Sequence, residues 1–304
     1  MKLLFLGAGG VGGYFGGRLL EAGADVTFLV RPARAARLAS DGLRIASPAG
    51  DCRLQVRTVT ADSLEPGYDL ILLAPKAYDL DEAIEAVAPA IGSQTRILPF
   101  LNGLAHIDVL DRRFGRQRVL GGIAHIGAML EADGTVRHLN DVHVLTAGGR
   151  DPETQRTAAE FIELCSRAKF DSVLSTDIVT SLWEKWTLLA TLAGITTLMN
   201  ASVGEIVAAR DGERLVRRLY EECLAVAGAN GVVIPEPVRT RALGMLTQRG
   251  SRTTASMLRD LRSSQRTEHD HVLGDLLARS QQSGLDAPLL SAAYCQLQVR
   301  AVAG

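Results

Sequence analysis

The chain opens on an apolar stretch, Lys2-Leu3-Leu4-Phe5-Leu6, that breaks into Gly7-Ala8-Gly9-Gly10-Val11-Gly12 and, after a helical segment, resumes as Asp25-Val26-Thr27-Phe28-Leu29-Val30. That order predicts strand, tight turn, helix, strand. The segment 69–74, Asp69 followed by an unbroken apolar run, reads as a parallel strand covered on both faces. Further strands are predicted over 96–101, 119–130 and 170–174, with short β segments over 43–59 around Pro48-Ala49-Gly50. Asp133-Gly134 is a hairpin signal joining 135–139, with 142–147 following. Helical spacing occupies 32–40, 78–91 and 152–168 between these strands. From Ser175-Thr176-Asp177, which can cap a helix, the pattern turns helical almost throughout: to about 199, then 213–229, 235–249, 267–283 and 287–302. This contrast predicts an α/β chain in two domains, a Rossmann-type doubly wound sheet over 1–175 and an all-helical domain over 176–304.

The first strand–turn–helix–strand is the pattern of a dinucleotide-binding unit. Its third glycine, Gly12, allows helix to pack closely on strand, and Gly9 lets the backbone approach a pyrophosphate seated on the helix N-terminus. Gly7, Ala8, Gly10 and Val11 complete the predicted cradle. Where an NAD-preferring protein places an acid after the second strand, this chain has Arg31, with Arg34 and Arg37 close behind. A guanidinium there suits the 2′-phosphate of NADP, so the expected cofactor is NADP(H).

Composition removes other classes. In 304 residues, 33 Lys and Arg balance 34 Asp and Glu, leaving a net charge of −1 and no footprint for nucleic acid or an anionic membrane. The arginines between 239 and 266 interleave with apolar residues, as on solvated helix faces. Four scattered cysteines lack metal-ligand spacing and read as reduced thiols of a cytoplasmic protein. The apolar start is too short for a signal segment, and no stretch reaches membrane-spanning length. His269-Asp270-His271 offers metal-like side chains, but residues 269 and 271 point to different helix faces, so no metal site is expected. No Gly-x-Ser-x-Gly elbow supports a hydrolase. His125, near the end of a predicted strand, reads first as a satisfied core histidine, with a place lining the nicotinamide site as the alternative.

Five ordered motifs, Gly7 to Phe15, Pro75-Lys76-Ala77-Tyr78, Leu101-Asn102-Gly103-Leu104, Leu182-Trp183-Glu184-Lys185, and Ser256-Met257-Leu258-Arg259-Asp260 with Thr267-Glu268, resemble the ketopantoate reductases (2-dehydropantoate 2-reductases) over essentially the whole chain. The resemblance implies an NADPH-dependent enzyme of pantothenate biosynthesis that reduces a 2-oxo acid to the 2-hydroxy acid, with a small-molecule partner and a homodimer as one option. By the same resemblance Lys76, Asn102 and Ile126 contact the cofactor, Lys185 is the catalytic lysine, and Asn102 and Ser256 reach the substrate. Glu268 then belongs to both the catalytic and the cofactor region.

Read without the family, Lys76 and Asn102 follow the carboxyl ends of strands, where open α/β sheets bind ligands. Lys185, flanked by Trp183, Trp186, Leu188 and Leu189, reads either as a snorkelling surface lysine or as an ammonium presented to a carbonyl oxygen. Glu268 reads as a carboxylate at a helix start. The departures from the family lie in the substrate pocket: asparagines expected four and eight residues after the lysine are Leu189 and Ala193, and a third corresponds to Val203. The predicted pocket is therefore more apolar than one built for ketopantoate, with Thr187, Thr191, Thr196 or Asn200 as candidate replacements. The runners-up are a paralogous reductase of a more hydrophobic 2-oxo acid or ketone, and a non-catalytic NADP sensor.

Overall fold

The computed structural model describes residues 1–302. Along its N-terminal part run β1 (Lys2–Leu6), α1 (Gly10–Glu21), β2 (Asp25–Leu29), α2 (Pro32–Asp41), β3 (Leu43–Ala46), β4 (Cys52–Leu54), β5 (Arg57–Val59), β6 (Leu70–Leu73), α3 (Leu80–Val87) and β7 (Arg96–Pro99). Five of these strands form an all-parallel sheet in the order β5-β2-β1-β6-β7. All four residues of β6 are buried, which is why the segment reads as an unbroken apolar run. The chain winds outward from β1 to β2 and β5, then crosses to the other side of β1 for β6 and β7. The crevice beyond the carboxyl ends of β1 and β6 is thus the topological switch point at which α/β sheets take ligands.

After α4 (Ala105–Phe114) come β8 (Gly121–Leu130), β9 (Val136–Gly148), α5 (Pro152–Cys165) and β10 (Asp171–Leu174). These strands belong to a second sheet, β10-β9-β3-β4 with β8 paired to β9, that period alone does not reveal. The Asp133-Gly134 turn is present, with Gly134 at φ +82 and Glu131 N–H donating to the Thr135 carbonyl at 2.9 Å. The β segments expected over 135–139 and 142–147 form one strand, and the register breaks between them: Ile126 faces His143 and Ala128 faces His138, so the extra residues lie in β9. His125 is exposed on β8 and is not a core histidine: the strand alternates faces, and this one is turned outward.

The helical half contains α6 (Ile178–Met199), α7 (Val203–Ala208), α8 (Gly212–Ala229), α9 (Glu236–Leu246), α10 (Ser256–Arg262), α11 (Asp275–Gln282) and α12 (Pro288–Val302). The sequence pattern does not announce α4, α7 or α10; the last two, of 6 and 7 residues, have too few turns to show a period. The helix expected from 267 starts at His269 and passes through a π turn, Asp270–Gly274, in which the Asp275 N–H bonds the Asp270 carbonyl before α11 continues. Contacts divide the chain into two compact units, Met1–Leu101 with His106–Val179, and Asn102–Ala105 with the stretch from Thr180 onward.

Candidate active site

In the first unit, β1 ends on Gly7, whose φ of +86 a side chain would resist, and α1 begins at Gly10. A cavity of about 780 Å³ opens there, lined by the Gly7–Gly12 run, by Val30 and Arg31 after β2, and by Ala74 and Pro75 after β6. A Cβ on Gly9 would meet nothing within 4 Å, so that backbone edge is open to a ligand; a Cβ on Gly12 would stand 2.5 Å from the Gly7 carbonyl oxygen. The first turn of α1 carries no acid. Its N–H groups and positive dipole end favour an anion such as a pyrophosphate, and the open cradle fits a dinucleotide.

The three arginines after β2 have different work. Arg31, 77% exposed at its side chain, sits at the cavity rim and pairs with Glu82. Arg34 gives Nη2 to the Ala8 carbonyl at 2.9 Å and Nη1 to the Gly134 carbonyl at 3.2 Å, while Arg37 reaches the Ala132 carbonyl at 3.0 Å. Arg34 ties the glycine-rich loop to the β8–β9 hairpin, and Arg37 adds a bond from α2 to the same hairpin. Lys76 is exposed at the start of a 3₁₀ turn, and Ile126 is half-buried opposite His143 on β9; neither lines the cavity. Glu82 had no signal in the sequence, because its pairing with Arg31 spans 51 positions.

In the second unit α6 carries Lys185 between Trp183 and Trp186, which are 3% and 1% exposed with ring centroids 4.8 Å apart. Burial pushes the ammonium of Lys185 down to about 8, with Glu268 pulling the other way. An environment that favours the neutral amine at mildly alkaline pH differs from that of a snorkelling lysine. Glu268 lies just before the helix, where its carbonyl accepts the Val272 N–H at 3.0 Å. His271, half-buried in the π turn, bonds the main-chain carbonyl of Asn102; burial lowers its pKa while Glu268 and Asp275 oppose that shift. Lys185, Glu268, His271 and Asn102 are thereby brought together. The sequence presents His271 only as a metal-like side chain. Among the described residues no group of three or more His, Cys, Asp or Glu could hold a metal, and the neighbouring His269 turns to Thr267, 2.7 Å away.

The replaced asparagines have different surroundings. Leu189 is half-buried, Ala193 is 4% exposed, and Val203 is fully buried at the start of α7, so its side chain serves packing. The candidate threonines bond their own helix: Thr187 to the Glu184 carbonyl, Thr191 to that of Thr187, and Thr196 to that of Leu192. Asn200 is held by Arg262 at 3.0 Å. The threonine hydroxyls thus satisfy backbone carbonyls, whereas the exposed Asn200 accepts from a guanidinium. Ser256 is exposed at the first position of α10.

Two family models match the chain, ketopantoate reductase PanE/ApbA over residues 3–149 and ketopantoate reductase PanE/ApbA C terminal over residues 177–301. An uncharacterized oxidoreductase of Bacillus subtilis, YkpB, is 37% identical over 98% of either chain. Among solved structures, the 2-dehydropantoate 2-reductase of Geobacter metallireducens superposes with a TM-score of 0.88 at 26% identity, covering 98% of this chain and 99% of that one. D-mandelate dehydrogenase, solved with NADH and anilino(oxo)acetate, shares the fold with a TM-score of 0.88 at 20% identity, covering 100% of this chain and 99% of that one. A glycine-rich dinucleotide cradle in one unit and a lysine–glutamate pair in the other are thus found in a chain matched by both family models. The protein belongs to the ketopantoate reductase PanE/ApbA family, and is an oxidoreductase acting on a CH–OH/C=O couple with a nicotinamide cofactor and a small-molecule substrate.

Proposed function

We propose that the protein reduces a 2-oxo acid to the 2-hydroxy acid with NADPH, and that its substrate carries a less polar tail than ketopantoate. The observation that carries the reading is the placement of Lys185, its pKa lowered to about 8 by burial, beside Glu268. Bound NADPH supplies the hydride. The ammonium of Lys185 donates a hydrogen bond to the substrate carbonyl, stabilises the developing alkoxide and transfers a proton to it. Glu268 holds Lys185 in its charged form. The Asn102 amide and the Ser256 hydroxyl orient the carboxylate and carbonyl. The loop Gly7 to Gly12 takes the pyrophosphate, and Arg31 takes the 2′-phosphate, which selects NADPH over NADH.

The preference for an apolar tail rests on Leu189 and Ala193. A ketopantoate hydroxyl buried against them without a partner costs about 1–3 kcal/mol, and the nearby threonines are engaged with backbone carbonyls. D-mandelate dehydrogenase, a protein of the same fold, was captured with anilino(oxo)acetate, which carries an apolar aryl group. The test is NADPH oxidation over a panel of 2-oxo acids, ketopantoate and branched or aryl analogues of similar size among them. The expected result is turnover with kcat/KM highest for an apolar member. No turnover of any member would overturn the reading, and a clear preference for ketopantoate would overturn the substrate assignment.

A further inference from the structure

The segment Asn102–Ala105 follows β7 and ends on the first residue of α4, but packs with the helical unit. Gly103 approaches that unit closely. It holds φ +76, and a Cβ there would stand 2.9 Å from the His271 carbonyl oxygen and 3.2 Å from Cδ2 of the His271 ring, with Nε2 at 3.6 Å. The Cδ2–Nε2 edge of the imidazole therefore lies against the Asn102-Gly103 turn, and the ring bonds the Asn102 main-chain carbonyl. His271 is presented by the π turn Asp270–Gly274, which α6 grips through the Trp186 indole: Nε1–H donates to the Val272 carbonyl at 2.9 Å. Such π turns recur where a helix must aim particular groups at a site. One face of this turn is fixed to the residue next to Lys185, and the other to the residue before Gly103.

We propose that His271 is a positioning residue for substrate reduction: by holding the Asn102 carbonyl it fixes the direction in which the Asn102 amide meets the substrate. The proposal rests on the reading of this site as a 2-oxo acid reductase. It uses the neutral ring as a hydrogen-bond donor and gives His271 no proton-transfer step. The ring must supply a donor at the Nε2 position and enough bulk to fill the space against Gly103. Glutamine supplies the donor at nearly the same reach, whereas phenylalanine supplies the bulk alone.

The experiment compares His271→Phe with His271→Gln in two measurements: steady-state reduction of the best 2-oxo acid by NADPH, and amide hydrogen exchange of the peptide spanning 102–104. The expected result for His271→Phe is a fall in kcat/KM of about tenfold, the size of one hydrogen bond at ~1.4 kcal/mol, with NADPH binding retained and exchange accelerated in that peptide. His271→Gln is expected to recover most of both. Unchanged kcat/KM and exchange in His271→Phe overturn the proposal, and so does a Gln variant no better than the Phe variant. If His271→Phe does not fold, His271→Asn, whose amide falls short of the Nε2 position, takes its place with the same expected losses. Wild-type protein inactive on every 2-oxo acid would refute the functional reading, while the exchange measurement would still decide whether His271 holds Asn102.

Discussion

Arg31 Nη2 stands 2.8 and 2.9 Å from the two carboxylate oxygens of Glu82 at the rim of the dinucleotide cavity. Both side chains are largely exposed, at 77% and 65%, so the pair contributes little to stability. Its consequence is competition, since a phosphate arriving at the guanidinium must displace the carboxylate. Arg31→Ala should weaken NADPH binding about tenfold to a hundredfold and leave NADH nearly unchanged. Glu82→Gln should tighten NADPH severalfold. Titration of both cofactors by nicotinamide fluorescence checks this, and equal losses for NADPH and NADH in Arg31→Ala would remove the 2′-phosphate contact.

In the proposed mechanism Lys185 acts in its protonated form, so kcat for reduction should fall as pH rises through about 8. Glu268 pulls that value upward; Glu268→Gln should therefore move the alkaline limb to lower pH and reduce kcat at neutrality. Lys185→Ala should lower kcat by about 10² to 10⁴ with NADPH binding retained. The same shift has a linkage consequence. The folded value lies below the ordinary 10.5, so the unfolded chain binds more protons between the two, and this residue's contribution makes folding more favourable as pH climbs from about 8 to 10.5. A pH–kcat profile without an alkaline limb near 8 would count against Lys185 as the acid.

Leu189 and Ala193 follow Lys185 by one and two helical turns and share its face. Leu189→Asn should shift kcat/KM toward ketopantoate by about tenfold relative to an apolar analogue, and Leu189→Asn with Ala193→Asn by up to about a hundredfold. Ala193 is only 4% exposed, so an amide there must displace neighbours and should lower stability by about 1–3 kcal/mol. Competitive turnover of the two substrates checks the shift, and an unaltered ratio in Leu189→Asn would place the substrate tail elsewhere.

Two glycines of the cradle should fail in different ways. Gly9→Ala meets no atom within 4 Å, so it should leave Tm unchanged while blocking the approach of the pyrophosphate and weakening NADPH. Gly12→Ala would put a Cβ 2.5 Å from the Gly7 carbonyl oxygen, forcing α1 away from β1, and should lower Tm together with cofactor binding. Thermal unfolding with and without NADPH separates the two. Normal NADPH binding by Gly9→Ala would contradict the cradle.

Much of this protein could be read in its sequence, for reasons that are local. Lys2 to Val30 announces a dinucleotide unit because the turn, the helix N-terminus and the close helix–strand packing each demand glycine at a set spacing. The apolar run after Asp69 declares a covered parallel strand, and the change from alternating to helical pattern after 175 marks where sheet gives way to helix. The family resemblance selected Lys185, Glu268 and Asn102, and the same comparison exposed Leu189, Ala193 and Val203 as departures.

Other features depend on which distant segments meet, and a single chain pattern carries no record of that. Only the fold takes β3 and β4 out of the first sheet to pair in a second with β9, bends Arg34 back to the Ala8 carbonyl, and brings Glu82 to Arg31. The directions of Thr187, Thr191 and Thr196 follow from helix packing, in which each hydroxyl donates to a carbonyl of the preceding turn. His271 looked like half of an unconvincing metal pair. The π turn and the close approach of Gly103 set it on Asn102, because hydrogen-bond geometry and burial are properties of assembled surfaces and not of residue order.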